Sequence, residues 1–282
     1  MNEKMPSHFS LLITAATVGI VFFGAVWSLT VAEESGLTIR GSTTVLPIVQ
    51  NAAEIFMERS PQVDISVQGG GSGVGIASII EGTCEIAASS RSVKKKELAA
   101  AADKGVALNG TIIARDGMAV IVHPSNPVRN LSAAQLKDIY TRRLSNWSQL
   151  GGEDKKIVVV SRDVASGTFE AFNELALKNE RVRPDALMQA SNQAVATTVA
   201  NTPGAIGYVG LGYLSTKVKA VAVDGVLPSK EAVADETYPL ARPLYLYANG
   251  EPRGIVKSFI DFVLSPEGTK IVEELGFVAS RQ

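Results

Sequence analysis

Three polar turns, each placed between an expected strand and an expected helix, could together bind an anion. They read GSTT at 41–44, GGGSGVG at 69–75 and RDVASGT at 162–168. A helix N-terminus presents unpaired backbone N–H groups and the positive end of its dipole, hydroxyls add donors, and glycines allow close approach. Each turn alone is typical of an ordinary Ser/Thr helix cap or a tight turn. Three of them in one chain favour an anion site beyond the carboxyl ends of the strands.

Three charged residues, two just beyond expected strands and one inside an expected strand, could complete such a site. Arg162 and Arg91 each follow an apolar strand, and a guanidinium pairs with an oxyanion through its planar fork. Asp116 interrupts the apolar segment 111–122. It could form a simple turn with Gly117, or it could accept a hydrogen bond inside the site.

Catalytic chemistry has little support in the sequence. Ser166 stands at a helix start near an arginine and could resemble a nucleophile, but such a residue needs a base. The one histidine beyond the N-terminal segment is His123, which ends an apolar strand and is typical of a structural residue. The chain has a single cysteine, Cys84, and neither an HExxH motif, a Walker-type P-loop nor a carboxylate cluster. We therefore expect no enzyme, no cofactor and no bound metal.

Length and charge limit the function further. A chain of 282 residues has room for roughly two domains of about 150 residues, and 46% hydrophobic residues suffice for sizeable cores. Lys and Arg total 27 against 28 Asp and Glu, which gives a net charge of -1. The sequence therefore has no basic excess with which to bind nucleic-acid phosphates.

The N-terminal segment is typical of export. Residues 11–32 carry no charge, Lys4 precedes them and Glu33 follows them. The segment is either a signal peptide cleaved after Ala32, where small residues precede the site, or a single membrane anchor. Both interpretations place residues 33–282 outside the cytoplasm.

Short apolar runs alternate with helical patterns through the rest of the chain. We expect strands at 37–40, 63–67, 86–88, 111–122, 157–161, 206–209 and 244–248. We expect helices at 45–59, 73–81, 94–104, 133–140, 168–178, 193–201 and 256–264. This alternation predicts an α/β fold with parallel sheets.

Eight motifs, in a fixed order, carry a resemblance to a known family. They are GSTTVLPIV, QGGGSGVGI, IAASSRSVKKKEL, RDGMAVIVHPSNPV, LSAAQLKDIY, NWSQLGG, SRDVASGTFEAF and TPGAIGYVGLGYL. Together they resemble the phosphate-binding proteins of ABC-type phosphate importers, in their shorter bacterial and archaeal form. The resemblance covers residues 37–277.

That resemblance implies a type II periplasmic-binding-protein fold, in which two α/β lobes enclose a ligand cleft. The chain would cross between the lobes near 117–119 and 241–243. Lobe I would then combine residues 37–117 with 242–282, and lobe II would span 118–241. Residues 1–36 would form the signal peptide or the anchor.

The resemblance also assigns phosphate contacts by matching motif. These are Ser42, Thr43, Ser72, Arg162, Ser166, Gly167 and Thr168. One position departs from the longer relatives, in which an aspartate accepts the phosphate proton: Ser90 stands in its place and Arg91 follows. We predict that Asp116 supplies the acceptor, with Ser90 or a backbone carbonyl as the next candidate. Arg91 would add positive charge or form a structural ion pair.

The implied function is the capture of inorganic phosphate in the periplasm or at the outer face of the membrane, and its delivery to an ABC permease. We expect a monomer that binds no nucleic acid. Two alternatives stay open: a receptor for another oxyanion, such as sulfate or molybdate, and a membrane-tethered phosphate sensor. A carboxylate at the anion would favour phosphate, because it accepts a hydrogen bond from a protonated oxyanion and repels a fully deprotonated one.

Overall fold

The computed structural model describes residues 35–280. The predicted signal peptide or anchor, residues 1–36, lies almost entirely outside the described residues. Its last two residues, Ser35 and Gly36, belong instead to the first strand, Ser35–Gly41. Between residues 35 and 280, none of the helices is both long enough and apolar enough to cross a membrane.

Strands and short helices alternate along the described chain. The strands are β1 (Ser35–Gly41), β2 (Val63–Gln68), β3 (Ile86–Ser89), β4 (Leu108–Val122), β5 (Asn130–Leu131), β6 (Val158–Arg162), β7 (Leu187–Gln189), β8 (Ala205–Gly210), β9 (Lys219–Val223), β10 (Ala241–Asn249) and β11 (Val278–Ala279). The α-helices are α1 (Leu46–Arg59), α2 (Ser72–Ile80), α3 (Lys95–Asp103), α4 (Ala133–Tyr140), α5 (Gly167–Leu175), α6 (Asn192–Asn201), α7 (Lys230–Ala234), α8 (Gly254–Leu264) and α9 (Pro266–Glu274). Two 3-10 turns lie at Trp147–Leu150 and Leu211–Tyr213.

A mixed sheet connects these elements, and the predicted α/β class is confirmed. The strand order is β2-β1-β3-β10-β4-β8-β6-β7, with β9 and β11 beside β4, and β5 beside β9. The outer strands pair in parallel, β1 with β2 and β3, and β6 with β7 and β8. The prediction of parallel sheets is wrong for the centre, where β4 pairs antiparallel with β8, β9 and β10.

The buried apolar side chains form two main clusters. Core I draws its members from residues 37–114 and 244–277, and core II draws its members from residues 118–240. Each core lies between the sheet and the helices that follow its strands, because those helices bury only one face. The division falls where the sequence predicts the lobe boundaries, which stay a prediction.

β4 and β10 connect the two cores, and this explains the antiparallel centre. β4 contributes Ile113 to core I and Met118 to core II. The chain returns from core II through β10, which runs beside β4 in the opposite direction. In this register Arg242 faces Asp116, and Ala241 faces Gly117. The two connecting strands therefore place a cross-strand pair of opposite charges between the cores.

Trp147 is a large buried side chain of core II, and its removal is expected to be costly. It is 1% exposed, and its indole N–H donates to the Gly204 carbonyl at 2.8 Å. Trp147→Ala should lower the free energy of unfolding by about 3–5 kcal/mol, through lost burial, a cavity and an unpaired carbonyl. Denaturant unfolding measures this, with the exposed Leu227→Ala as the control. A loss below about 1 kcal/mol would contradict tight packing at this position.

Candidate anion-binding site

The first turn follows β1 and leads into α1. Gly41 has φ +139°, and a Cβ there would lie 2.1 Å from the Ala88 carbonyl oxygen, so only glycine fits. The Ser42 amide donates to that same carbonyl at 2.8 Å, while Ser42 Oγ accepts the Thr44 amide at 3.1 Å. Ser42, Thr43 and Thr44 are all buried. The turn thus holds three hydroxyl side chains at the start of α1.

The second turn places Ser72 at the start of α2. Gly71 precedes it with φ +97°, a conformation that favours glycine. Ser72 Oγ accepts the Ser90 amide at 3.0 Å and lies 3.4 Å from Ser90 Oγ. Both serines are fully buried. Ser90, the first residue after β3, therefore lies beside Ser72.

The third turn follows β6 and leads into α5. Ser166 caps the helix, since its Oγ accepts the Phe169 amide at 3.2 Å. Ser166 and Thr168 are each 1% exposed. The helix start thus presents a buried hydroxyl on each side of Gly167.

Contacts between the turns bring all three together. The Gly73 amide donates to the Ala165 carbonyl at 2.9 Å, and Thr44 Oγ1 lies 3.0 Å from Thr168 Oγ1. Gly167 approaches the second turn so closely that a Cβ would lie 2.2 Å from Ser72 Oγ. The hydroxyls of all three turns therefore surround one buried region between the cores.

Arg162 adds a positive charge that the protein fixes in place. Its side chain is almost fully buried, Nε donates to the Gln189 carbonyl and Nη2 donates to the Ala190 carbonyl, both at 2.9 Å. Nη1 is buried and has no protein acceptor. Burial lowers the pKa of the guanidinium. A buried N–H donor without a protein acceptor is costly unless a ligand accepts it.

Asp116 lies in this region, and protein donors occupy both of its oxygens. Oδ1 accepts the Leu211 amide at 2.9 Å. Oδ2 accepts Arg242 Nε at 3.1 Å and Nη2 at 2.9 Å. Burial raises the pKa of Asp116, and the neighbouring Arg242 opposes that rise. The predicted role of Asp116 as acceptor of a ligand proton is not tested by this arrangement and stays a prediction.

Arg91 takes part in an ion-pair cluster that joins the two sides of the site. Its Nη1 and Nη2 bind the Glu97 carboxylate at 2.8 and 2.7 Å. Its Nε contacts Glu170 of α5, which also pairs with Lys94. The cluster lines a groove of about 860 Å³ beside the site, together with Arg242. Of the two roles left open for Arg91, the contacts therefore support the structural ion pair.

The sequence predictions missed four polar residues of this region. Asn192 Nδ2 donates to the hydroxyls of Thr43 and Thr44 at 3.1 and 3.0 Å, and its Oδ1 accepts the Gly210 amide. The Tyr213 hydroxyl donates to the Thr43 carbonyl. The others are Thr44 and Arg242. A sequence signal existed only for Thr44, within the GSTT motif, because the rest come from segments that meet only in the folded chain.

In the described part of the chain, the two residues with catalytic potential, His123 and Ser166, each take part in a local hydrogen bond. His123 Nδ1 lies 2.8 Å from the Ser125 hydroxyl, and Ser166 serves as a helix cap. Cys84 is buried, and burial raises the pKa of its thiol to about 11. Between residues 35 and 280, no cluster of three His, Cys, Asp or Glu side chains could hold a metal ion.

Comparison with known proteins identifies relatives over most of the chain. The family model for the PBP superfamily domain matches residues 23–267. The phosphate-binding protein PstS of Bacillus subtilis is 39% identical over 244 residues, which cover 86% of this chain and 80% of the relative. Protein SphX of Synechococcus elongatus is 33% identical, over 88% of this chain and 78% of the relative.

Solved structures show the same architecture. A substrate-binding protein from Clostridium perfringens, solved with bound phosphate, superposes with a TM-score of 0.82 at 38% identity, covering 88% of this chain and all of that one. An ABC-type phosphate transport receptor from Vibrio cholerae superposes with a TM-score of 0.72 at 33% identity, covering 86% of this chain and all of that one.

Proposed function

The chain belongs to the phosphate-binding proteins of the PBP superfamily, and from that premise we propose that it captures inorganic phosphate outside the cytoplasm and delivers it to an ABC importer. Curated relatives carry the name phosphate-binding protein, and a solved relative contains bound phosphate. Delivery would require docking on permease subunits in the membrane, and the protein would act as a monomer without catalytic activity.

One observation carries the proposal: three hydroxyl-bearing helix starts and a buried arginine converge on one region. Ser42, Thr43 and Ser72 come from the core I side, and Ser166, Gly167 and Thr168 come from the core II side, with Arg162 at the end of β6. A phosphate has four oxygens, and each can accept more than one hydrogen bond. Helix starts, hydroxyls and a guanidinium supply the matching donors without a metal.

Phosphate binding would close two lobes on the ligand. We place lobe I at 37–117 with 242–282 and lobe II at 118–241, which agrees with the division between core I and core II. Because the donors come from both lobes, an anion that contacts both sets stabilises the closed arrangement more than an open one. The Glu170 contacts to Arg91 and Lys94 would add to that closed arrangement.

The proposal predicts one tight phosphate site with weaker binding of other oxyanions. Calorimetry on residues 33–282 with phosphate, sulfate and molybdate should give a stoichiometry of one for phosphate.

Small-angle scattering should show a smaller radius of gyration with phosphate than without it. Tight binding of sulfate or molybdate without phosphate heat would instead support the alternative oxyanion receptor. Loss of phosphate uptake on deletion of this protein would support transport. Unchanged uptake, together with an uncleaved N-terminal anchor, would support the membrane-tethered sensor.

A further inference from the structure

Arg242 lies on one of the two paired strands, β4 and β10, that connect the cores. It lies on β10 directly opposite Asp116 of β4, and it is 4% exposed. Its Nε and Nη2 bind Asp116 Oδ2. The carboxylate fixes two of the three guanidinium nitrogens and thereby sets the direction of the third.

The remaining contacts of Arg242 involve two of the three polar turns 41–44, 69–75 and 162–168, which we call the ligand turns. Nη2 also lies 3.2 Å from Thr44 Oγ1 and 3.0 Å from Thr168 Oγ1, so its second N–H is shared between the two hydroxyls. These threonines start α1 and α5, on the core I and core II sides respectively. The third nitrogen, Nη1, is buried and has no protein acceptor. Arg242 thus lies among the hydroxyls of the first and third turns, with one donor unused.

An unused buried donor does not by itself identify a binding residue, as Arg183 shows. Arg183 is 5% exposed, binds Asp185 through Nε and Nη2 at 2.7 and 2.8 Å, and also has a buried, unpartnered Nη1. Its other contacts involve none of the ligand turns. The contacts of Arg242 with Thr44 and Thr168 therefore distinguish it from Arg183.

We propose that Arg242 is a second anion-binding arginine, donating to the ligand through Nη1, and that Asp116 is a positioning residue that acts through Arg242. This inference rests on the proposed function of the same site. Asp116 then needs no direct contact with the anion, because its two oxygens already accept three N–H donors. The proton of the ligand would be accepted by a hydroxyl, for which Ser72 and Ser90 are the buried candidates.

The charges of the site support this assignment. Arg162 and Arg242 contribute two positive charges, and Asp116 contributes one negative charge. Without an acceptor anion, the pair of arginines would repel each other, and Arg242 contributes to lowering the pKa of Arg162. A divalent oxyanion between them relieves that repulsion and pairs with both guanidinium groups.

A double-mutant cycle tests the inference on the full chain in mild detergent. The variants are Arg242→Gln, Asp116→Asn and the combination of both, with Arg183→Gln as the matched buried control. Calorimetry measures the dissociation constants of phosphate and sulfate for each, and thermal unfolding monitors the fold. Arg242→Gln should weaken phosphate binding about 30-fold, the effect expected for a lost charge-assisted hydrogen bond. Arg183→Gln should change it less than threefold.

The combined variant shows whether Arg242 contacts the anion or only neutralises the charge of Asp116. If Arg242 binds the anion, adding Asp116→Asn to Arg242→Gln leaves the phosphate affinity and the phosphate-to-sulfate ratio unchanged. If Arg242 only neutralises Asp116, the combined variant recovers the affinity of the unmodified protein, and the inference is overturned. Additive effects of the two substitutions would overturn the positioning role, because they would give Asp116 a contact of its own.

The outcome is distinguishable from a failure of the proposed function. An unmodified protein that gives no phosphate heat contradicts phosphate binding itself. An unmodified protein that binds phosphate, with an Arg242→Gln variant of equal affinity, contradicts only the role of Arg242. Should Arg242→Gln unfold, two other variants give the same decision: the combined variant, which leaves no unpaired carboxylate at position 116, and Arg242→Lys, which keeps the charge.

Discussion

Arg162→Ala is expected to weaken phosphate binding about a thousandfold while the protein stays folded. Two backbone carbonyls, of Gln189 and Ala190, hold the guanidinium rigidly, so its free Nη1 meets the ligand without loss of side-chain freedom. Truncating one partner of a desolvated charge pair typically costs about 2–5 kcal/mol, and a thousandfold change is about 4 kcal/mol. Calorimetry on residues 33–282 measures the loss.

Three further variants show whether the loss comes from the anion contact. Lys95→Ala removes an exposed charge beside the Arg91 cluster, and Arg183→Ala removes another buried arginine away from the ligand turns. Both should bind phosphate like the unmodified protein. Arg162→Lys keeps the charge but not the planar fork, and should lie between the two extremes. Equal and small effects of Arg162→Ala and Lys95→Ala would place Arg162 outside the site.

The positions of the three polar turns, 41–44, 69–75 and 162–168, could be predicted from the sequence because each follows from a local pattern. A strand followed by Ser, Thr or Gly and then by a helical pattern fixes the position of each hydroxyl at a helix start. Ser42, Ser72 and Ser166 all lie at or just before such starts in the structure. The helices α1, α2 and α5 begin within one residue of their predicted positions. Local pattern was sufficient for these elements.

The position of Arg242 beside the three turns could not be predicted because it depends on strand register. The apolar run that indicates β10 starts at Leu244, after Pro243, whereas the strand begins at Ala241. The three additional residues place Arg242 opposite Asp116, which lies more than a hundred positions earlier in the chain. Nothing in the local sequence of either residue shows this pairing. The antiparallel pairing at the centre of the sheet could not be predicted either, because it also joins strands that are distant in the sequence.

Arg91 and Glu170 illustrate the same limit for charges. The sequence leaves Arg91 either as a positive charge for the ligand or as half of an ion pair. Glu97 lies on the neighbouring helix and is a local partner, but Glu170 comes from α5 on the other side of the groove. Only the folded chain brings Glu170 to Arg91. The partners of charged side chains therefore depend on tertiary contacts, whereas the positions of helix starts follow from the local sequence.

Gly167→Ala is expected to weaken phosphate binding about a hundredfold by holding the two lobes apart. A Cβ at Gly167 would lie 2.2 Å from Ser72 Oγ, 2.8 Å from Ser72 Cβ and 2.8 Å from Ser90 Oγ. Rotating the hydroxyls cannot relieve the contact with Ser72 Cβ, and both serines are fully buried. Forcing extra atoms into a packed region typically costs about 1–3 kcal/mol, and the upper part of that range corresponds to a hundredfold.

The variant tests closure because its clash lies between the two sides of the site. Alanine keeps every backbone donor of the third turn, so no ligand contact is removed. Ser72 and Ser90 belong to the core I side, so the added methyl group meets them only when the two sides are together. Scattering from residues 33–282 should therefore give the same radius of gyration with and without phosphate, while thermal stability without ligand stays unchanged. Gly36→Ala, whose added Cβ meets no atom within 4 Å, is the matched control. Full affinity in Gly167→Ala would mean that phosphate binds without the close approach of α5 to α2 seen in the structure.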